Sequence, residues 1–270
     1  MKKDAGLKSN FHTHTYLCKH ATGKPIDYVK KALELGYKRI AITDHGPLID
    51  EIISNFYTRR MNFKEFYKNY LPDLKEAKEA YQDKIEIFTA LEIEYFPMME
   101  PQYQMMLARL DFLLLGQHYV YCNGRYHSVY NRLKDEEILA YAETLVRAME
   151  TGLFKIIAHP DIYCFTRSWD EVCAKAARII IAKAKECNVI LELNANGIRN
   201  SLSKNMCYCT INGELSYGYP RREFFEIVKE YDLPVMINDD CHSIKDLHDQ
   251  HTISAYQIAS ELGLKIINHL

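Results

Sequence analysis

Seven short apolar runs, each followed by a helical pattern, narrow what this chain can fold into more than any other feature. The runs span residues 7–12, 39–43, 85–93, 112–117, 155–158, 189–194 and 234–238. Helix-periodic stretches alternate with them at 26–35, 62–81, 101–110, 135–151, 168–187, 220–231 and 244–262. Local signals support these limits. Gly36 stands where a C-cap belongs, an acidic turn opens the stretch at 135 and Gly152 closes it, and Ser168 with Glu171 three residues on reads as a capping box. Strand and helix in alternation predict a parallel sheet with helices outside it. Seven near-equal units suit a closed α/β barrel better than an open sheet. No Pro/Gly/Ser-rich linker or low-complexity tract interrupts them, so residues 1–270 are read as one domain. The long connections at 46–61, 119–134 and 195–219 are expected to rim a pocket.

In such barrels the active site lies at the C-terminal ends of the strands. Residues with metal-binding chemistry collect at that position. The first run ends in His12 and His14, with His20 in the following loop. The second gives Asp44 and His45, the third Glu92 and Glu94, the fourth His118. The fifth gives His159 and Asp161, the sixth Asn194 with Arg199 beyond it, and the seventh Asp239, Asp240 and His242. A lone strand-end His is usually structural, and a lone Asp often caps the next helix. Here that explanation would have to hold separately at nearly every strand, on ends that converge on one rim. Imidazole and carboxylate without thiolate suit zinc, manganese or iron. Nine candidate ligands exceed one tetrahedral site, so two or three divalent ions are expected. Such centres act on phosphate esters more than on peptides, and the His-Glu-x-x-His signature of single-zinc peptidases does not occur.

Composition removes several classes. A net charge of −2 argues against bulk electrostatic binding of nucleic acid or anionic membrane. No segment is apolar enough to span a bilayer, and Met1 to Gly6 carries charge without an apolar core, so a cytoplasmic location is expected. The eight scattered cysteines are read as reduced thiols. Cys207-Tyr-Cys209 is taken as an incidental loop pair, because no second pair completes a zinc site.

His12-Thr-His14, Thr43-Asp-His45-Gly, Glu92, Gln117-His118, Ala158-His159-Pro160 and Asp240-Cys-His242 together resemble the PHP (polymerase and histidinol phosphatase) superfamily. Ser9-Asn-Phe-His-Thr-His-Thr followed by Cys18-Lys-His-Ala-Thr-Gly is similar to its histidinol-phosphatase branch in particular. The resemblance implies a distorted (β/α)7 TIM-like barrel with a trinuclear centre. One ion would take His12, His14, Glu92 and Asp240. A second would take Glu92, His118 and His159, and a third His20, His45 and His242. Cys241 departs from the small residue usual between the last two ligands, and is read as a buried side chain.

The implied reaction is hydrolysis of a phosphate monoester, L-histidinol phosphate, with no nucleic-acid or membrane partner. Another phosphoesterase of the superfamily, acting on nucleotides or DNA ends, is the alternative, and a non-catalytic metal module a third. Asp161 is the candidate general acid, with an N-cap or ligand-orienting role equally open. Arg199 is the candidate phosphate-binding arginine, ahead of Arg125, Arg132 and Arg167. Glu94 and His127 are candidates for reading the rest of the substrate, and Asp44 and Asp239 for orienting ligands. Tyr16, Tyr119 and Tyr163 are candidate pocket walls.

Overall fold

The computed structural model describes residues 8–270. Leu7, at the start of the first expected strand, and the stretch Met1 to Gly6 lie outside the described residues. The strands are β1 (Ser9–Asn10), β2 (Arg39–Ile42), β3 (Glu86–Ile93), β4 (Phe112–Leu115), β5 (Tyr119–Cys122), β6 (Arg125–Ser128), β7 (Phe154–Ile157), β8 (Ile190–Asn194), β9 (Cys207–Cys209), β10 (Leu215–Tyr217) and β11 (Val235–Asn238). Seven of them form one parallel sheet in the order β1-β2-β3-β4-β7-β8-β11. The sheet curls into a nearly closed barrel, as the alternation of runs and helical patterns predicts.

Side chains carry much of the closure. Phe11 N donates to Asn238 Oδ1 and Asp239 N donates to Asn10 Oδ1, both at 2.8 Å. Above them His14 N donates to Cys241 O at 2.9 Å, beside a parallel bridge between Thr13 and Cys241. Two asparagine amides thus take the place of ladder bonds between β1 and β11, where an open edge would leave backbone groups unpaired.

Period-two alternation divides each strand between two apolar layers. On β3, Ile87, Leu91 and Ile93 pack outward beneath the helices, whereas Phe88 and Ala90 face the barrel interior. The interior is filled low down by Phe11, Phe112, Leu114, Ile156 and Met236, each such side chain stabilising the fold by about 1.5–3 kcal/mol on burial. The C-terminal residues run beside β11, with Val235 N donating to Lys265 O and Ile267 N to Val235 O, and Ile267 packs on the interior cluster. The floor is therefore dry, and polar side chains of the inward face gather at the opposite mouth.

The surrounding helices are α1 (Pro25–Glu34), α2 (Asp50–Ile53), α3 (Phe63–Glu65), α4 (Leu71–Tyr81), α5 (Glu100–Leu107), α6 (Asp135–Glu150), α7 (Glu171–Cys187), α8 (Ala195–Ser203), α9 (Arg222–Glu230) and α10 (Gln250–Leu262). Several differ from expectation for local reasons. The stretch 62–81 is interrupted by a π-helical turn at Phe66–Tyr70, just before Pro72, which has no N–H to offer an α-helical bond. That turn carries Tyr70, whose hydroxyl lies 2.7 Å from Ala90 O and accepts from Asp44 N at 3.2 Å, where β2 and β3 part. The start of α7 is capped by Asp170, which accepts from Cys173 N, and not by Ser168. The stretch 244–262 splits because Asp249 caps a new helix start, accepting from His251 N and Thr252 N. The connection 195–219 holds α8 and the β9–β10 hairpin. The connection 119–134 holds the β5–β6 hairpin, whose turn residues Asn123 and Gly124 both have positive φ, as a tight Asn-Gly hairpin turn requires.

No helix among the described residues is long and apolar enough to cross a membrane. All eight cysteines are free thiols, in accord with the reading of reduced cysteines. Asn10→Ala should strand the buried N–H of Asp239 at the seam and cost about 1–3 kcal/mol, read from a urea unfolding curve.

Candidate metal centre

Strand alternation delivers the polar residues to the mouth. Glu92 continues the inward series Phe88–Ala90, and Asp240 continues Met236–Asn238 one step past β11. Glu92 is 1% exposed. Its Oε2 lies 3.4 Å from His12 Nε2, 3.3 Å from His14 Nε2 and 2.9 Å from His45 Nδ1, and its Oε1 lies 2.9 Å from His159 Nε2 and 3.6 Å from His118 Nε2. One carboxylate therefore stands between two imidazole groups. Asp240 Oδ1 lies 3.1 Å from His14 Nε2 and 3.5 Å from His12 Nε2, while its other oxygen accepts from Asn194 and Asn196.

Two of these residues sit in backbone conformations that non-glycine residues rarely adopt, His159 at φ 31° and Asp240 at φ 48°. Each costs about 1–3 kcal/mol and is typical of functional sites. Gly116 is required for a different reason. A Cβ there would overlap the Glu92 carboxylate, so only glycine lets β4 pass behind it.

The imidazoles are aimed by partners on their far side. His12 Nδ1 donates to Glu192 Oε1 at 2.8 Å, and His118 Nδ1 to Glu94 Oε1 at 3.0 Å. His20 Nδ1 donates to Cys18 O at 2.7 Å, and His242 Nδ1 to Asp240 O at 3.1 Å. Each bond sets the tautomer and leaves Nε2 with its lone pair facing inward. Asp44 Oδ1 lies 3.7 Å from His14 Nδ1 and accepts from Thr15 N.

The charge balance is that of a cation site. Burial opposes charge on His12, yet the carboxylates of Asp240, Glu192 and Glu92 outweigh it and push the imidazole up to about 10. Burial likewise works against ionised Glu92 and Asp240, but the surrounding imidazoles hold both well below the usual carboxylate range. Burial and the neighbouring imidazoles push His45 well below its ordinary value, and His242 down to about 3. Buried His14 Nδ1 and His159 Nδ1 have no hydrogen-bond partner. Carboxylates held ionised and closely faced by imidazole nitrogens, with buried atoms left unpaired, make a donor set that fits divalent cations.

All nine expected ligands converge on this mouth, and donor atoms of His14, His45 and His242 lie within 4.8 Å of one another. Donor atoms of His12, His14 and Glu92 cluster within 4.8 Å, and so do those of His45, Glu92 and His118. His45 leans toward Glu92, whereas His20 faces His242, their Nε2 atoms 3.1 Å apart.

Five other candidates lie elsewhere. Arg199 does not reach the cavity; it forks to Asp249 and donates to the carbonyls of Asp239 and Asp246. Glu94 is held bidentately by Arg60 at 2.7 Å and accepts from His118 Nδ1 at 3.0 Å. His127 pairs with Glu137 on the β5–β6 hairpin. Asp239 points away from the ligands, toward Thr252, His248 N and Tyr37. Asp161 is pushed up to about 7 by burial, against the opposing N–H and charge of Arg221 and His159. Its carboxylate accepts from Arg221 N below the cavity wall and does not line the cavity.

Of the rival arginines, Arg167 is taken by Asp135 and Asp170, and Arg125 lies beside His127. Tyr163 is buried, donating to Cys173 O, and Tyr16 donates to Asp73. Tyr119 lines an adjoining recess with Arg59 and Arg60.

The cavity itself measures about 320 Å³ and adds Tyr130, Asn196, Asn200 and Lys204 to the imidazoles. Lys204 Nζ stands 5.3 Å from the ring centroids of both Tyr130 and Phe165. Lys204 sits in the connection read as a rim loop, and no motif marks it. Glu192 was missed as well, although a lone acid inside the apolar run Ile-Leu-Glu-Leu-Asn is a legible sign of a buried polar contact.

A parallel barrel with inward imidazoles and carboxylates at its C-terminal mouth has the architecture and donor set of a barrel-type protein suited to divalent metals. The family model of the PHP domain matches residues 10–196, and the chain belongs to the PHP domain family. A protein of Deinococcus radiodurans named "Probable histidinol-phosphatase" is 23% identical over 239 residues, 86% of this chain and 85% of that protein. Among solved structures, a Listeria monocytogenes protein described as a histidinol phosphatase aligns with a TM-score of 0.74 at 21% identity, covering 91% of this chain and 99% of that one. Histidinol phosphate phosphatase from Lactococcus lactis, complexed with zinc, L-histidinol and phosphate, aligns with a TM-score of 0.68 at 15% identity, covering 96% and 95%. Asp240 and His242 lie beyond the matched residues, and the barrel brings them to the same mouth.

Gly116→Ala should displace Glu92 and lower the bound metal by at least one ion, measured by elemental analysis of the purified protein. Arg60→Met should leave Glu94 buried and unpaired, at a cost of about 3–5 kcal/mol near neutral pH. Glu94 is fully buried, and against that burial Arg60 and His118 hold its carboxyl well below the ordinary Glu range. Its contribution to stability is therefore complete above about pH 4.3 and lost as pH falls further. Unfolding curves across that range should show a flatter acid limb in the variant.

Proposed function

We propose that the chain is a metal-dependent phosphatase that hydrolyses L-histidinol phosphate to L-histidinol and phosphate. The observation that carries the phosphatase half is the donor set: seven imidazoles with Glu92 and Asp240 at one barrel mouth, around a small polar cavity with an ammonium on its wall. The histidinol half is supported by the names of the Deinococcus and Lactococcus proteins and by the histidinol and phosphate of the latter's complex. That activity would put the chain in histidine biosynthesis, in the cytoplasm.

His12, His14, Glu92 and Asp240 would hold one divalent ion, and His45, Glu92, His118 and His159 a second, with zinc, manganese or iron all compatible with the donors. Bound there, such ions would supply Lewis acidity toward phosphoryl oxygens and lower the pKa of a water. The protein's own part is to hold that arrangement and to bind and orient the ester. Glu192 and Glu94 keep His12 and His118 in one tautomer. Lys204 is the one lysine or arginine among the described residues lining the cavity. It has no carboxylate partner, and its ammonium takes the phosphate-anchoring role first assigned to Arg199. Arg59, in the adjoining recess, adds positive charge on the approach. Asn196 and Asn200 offer amide donors on the same wall. The rest of the substrate would lie against Tyr130 and Tyr119, which suit an imidazole ring.

A panel of phosphate monoesters with zinc- or manganese-loaded protein tests this reading. kcat/KM for L-histidinol phosphate should exceed that for nucleoside monophosphates and generic aryl phosphates by tenfold or more, about 1.4 kcal/mol of transition-state discrimination. Equal turnover across the panel would refute the histidinol assignment. Lys204→Met should raise KM about tenfold with a smaller change in kcat, while Arg199→Lys should lower stability and leave KM unchanged.

A further inference from the structure

The outer pair of imidazoles poses a problem that the nine expected ligands do not resolve. His20 Nδ1 donates to Cys18 O, and His242 Nδ1 donates to Asp240 O. Both carbonyls can only accept, so both Nδ1 atoms carry hydrogen, and in the neutral imidazoles both Nε2 atoms then carry lone pairs. Those lone pairs face each other across 3.1 Å. Two neutral acceptors so placed repel unless a cation lies between them. The separation suits one: two nitrogens about 2.05 Å from a tetrahedral zinc lie about 3.3 Å apart.

His45, the third member of the outer site in the grouping implied by the resemblance, lies between two positions: its donor atoms cluster with those of His14 and His242 on one side and of Glu92 and His118 on the other. A further donor stands on the outer side. The 3₁₀ turn Tyr16–Cys18 follows the first strand, with Thr15 at its N-cap. Lys19, at φ 67°, then reverses the chain and folds His20 back over Cys18. The Cys18 side chain is fully buried, and Cys18, His20 and His242 each offer a ligand atom within 4.8 Å of the other two. A second buried group converges on the same sulfur. His14 and Asp44 bring donor atoms within 4.8 Å of Cys18, and His14 Nδ1, wholly buried, has no hydrogen-bond partner.

We infer that Cys18 is a metal ligand, and that with His20 and His242 it forms an outer His2Cys site beside the two nitrogen- and oxygen-ligated positions around Glu92. The inference rests on reading the barrel mouth as a metal centre, and does not depend on which phosphate ester is hydrolysed. As the metal–sulfur bond forms, the thiol releases its proton to solvent; no oxidant or other reactant is involved. A thiolate donor makes the outer position softer than the inner ones. It selects zinc or iron(II) over manganese and magnesium, so the centre discriminates among metals position by position.

Cobalt(II) reports this directly. Full-length protein carrying C207S and C209S, which removes the exposed thiols, is stripped and reloaded with cobalt(II). A sulfur-to-cobalt charge-transfer band should appear in the near ultraviolet. It should vanish when C18S is added and persist when C241S is added instead. Absence of the band at full loading, or its survival in the C18S protein, would overturn the inference. Should C18S fail to fold, X-ray absorption of the zinc-loaded parent decides. A sulfur scatterer at about 2.3 Å is expected, and a shell of nitrogen and oxygen alone would refute the ligand. Neither measurement reads turnover, so failure of the histidinol phosphate assay would leave this result standing, and the reverse holds equally.

Discussion

The structure turns on one buried carboxylate. Glu92 is nearly inaccessible to water, and an ionised group so placed is tolerated only if cationic or hydrogen-bonding partners surround it. Five imidazoles from four strand ends supply that surrounding: His12, His14, His45, His118 and His159. The same carboxylate forces glycine at position 116, just past β4, where a Cβ would overlap it. The left-handed turn at His159 sits where backbone must bend inward to meet it. A fold that had only to be stable would have no reason to combine these costs.

Around that carboxylate the chain spends its other acids on orientation. Glu192 aims His12, Glu94 aims His118, and Arg60 neutralises Glu94 from behind. These groups lie on the same inward faces as the ligands or one residue beyond, so the rigid barrel sets their angles. The loops carry a different part of the task. Lys204, Arg59 and Tyr119 lie on the long connections, where reach and chemistry can change without disturbing the metal ligands.

The outer site shows how backbone geometry can specify chemistry. Two main-chain carbonyls set the tautomers of His20 and His242, and a reversal at Lys19 brings sulfur and imidazole of one short segment to the same side. A residue that composition alone treats as one more buried thiol becomes a donor of different softness from its neighbours.

The sequence by itself determined the architecture and the pool of ligands. Period-two runs that end in His, Asp or Glu can bury their apolar face only by bringing those ends together, so the barrel and its ring of nine donors were legible before any coordinate. The Asn-Gly pair at 123–124 and the lone acid Glu192 in an apolar run are local signals of the same kind. Only the tertiary structure decided which polar residue meets which. Arg199, Glu94 and Asp239 have the right chemistry and the right position in the chain, yet the partners that claim them come from elsewhere: Asp249 from the cap of α10, Arg60 from the second connection, and Thr252 from α10. Lys204 gained its place through the end of α8, which reaches the cavity, and Cys18 through a turn that sets it beside His20 and His242. Periodicity reports which face a residue is on; pairing across the barrel depends on distances between segments remote in sequence, and those are settled only when the chain closes.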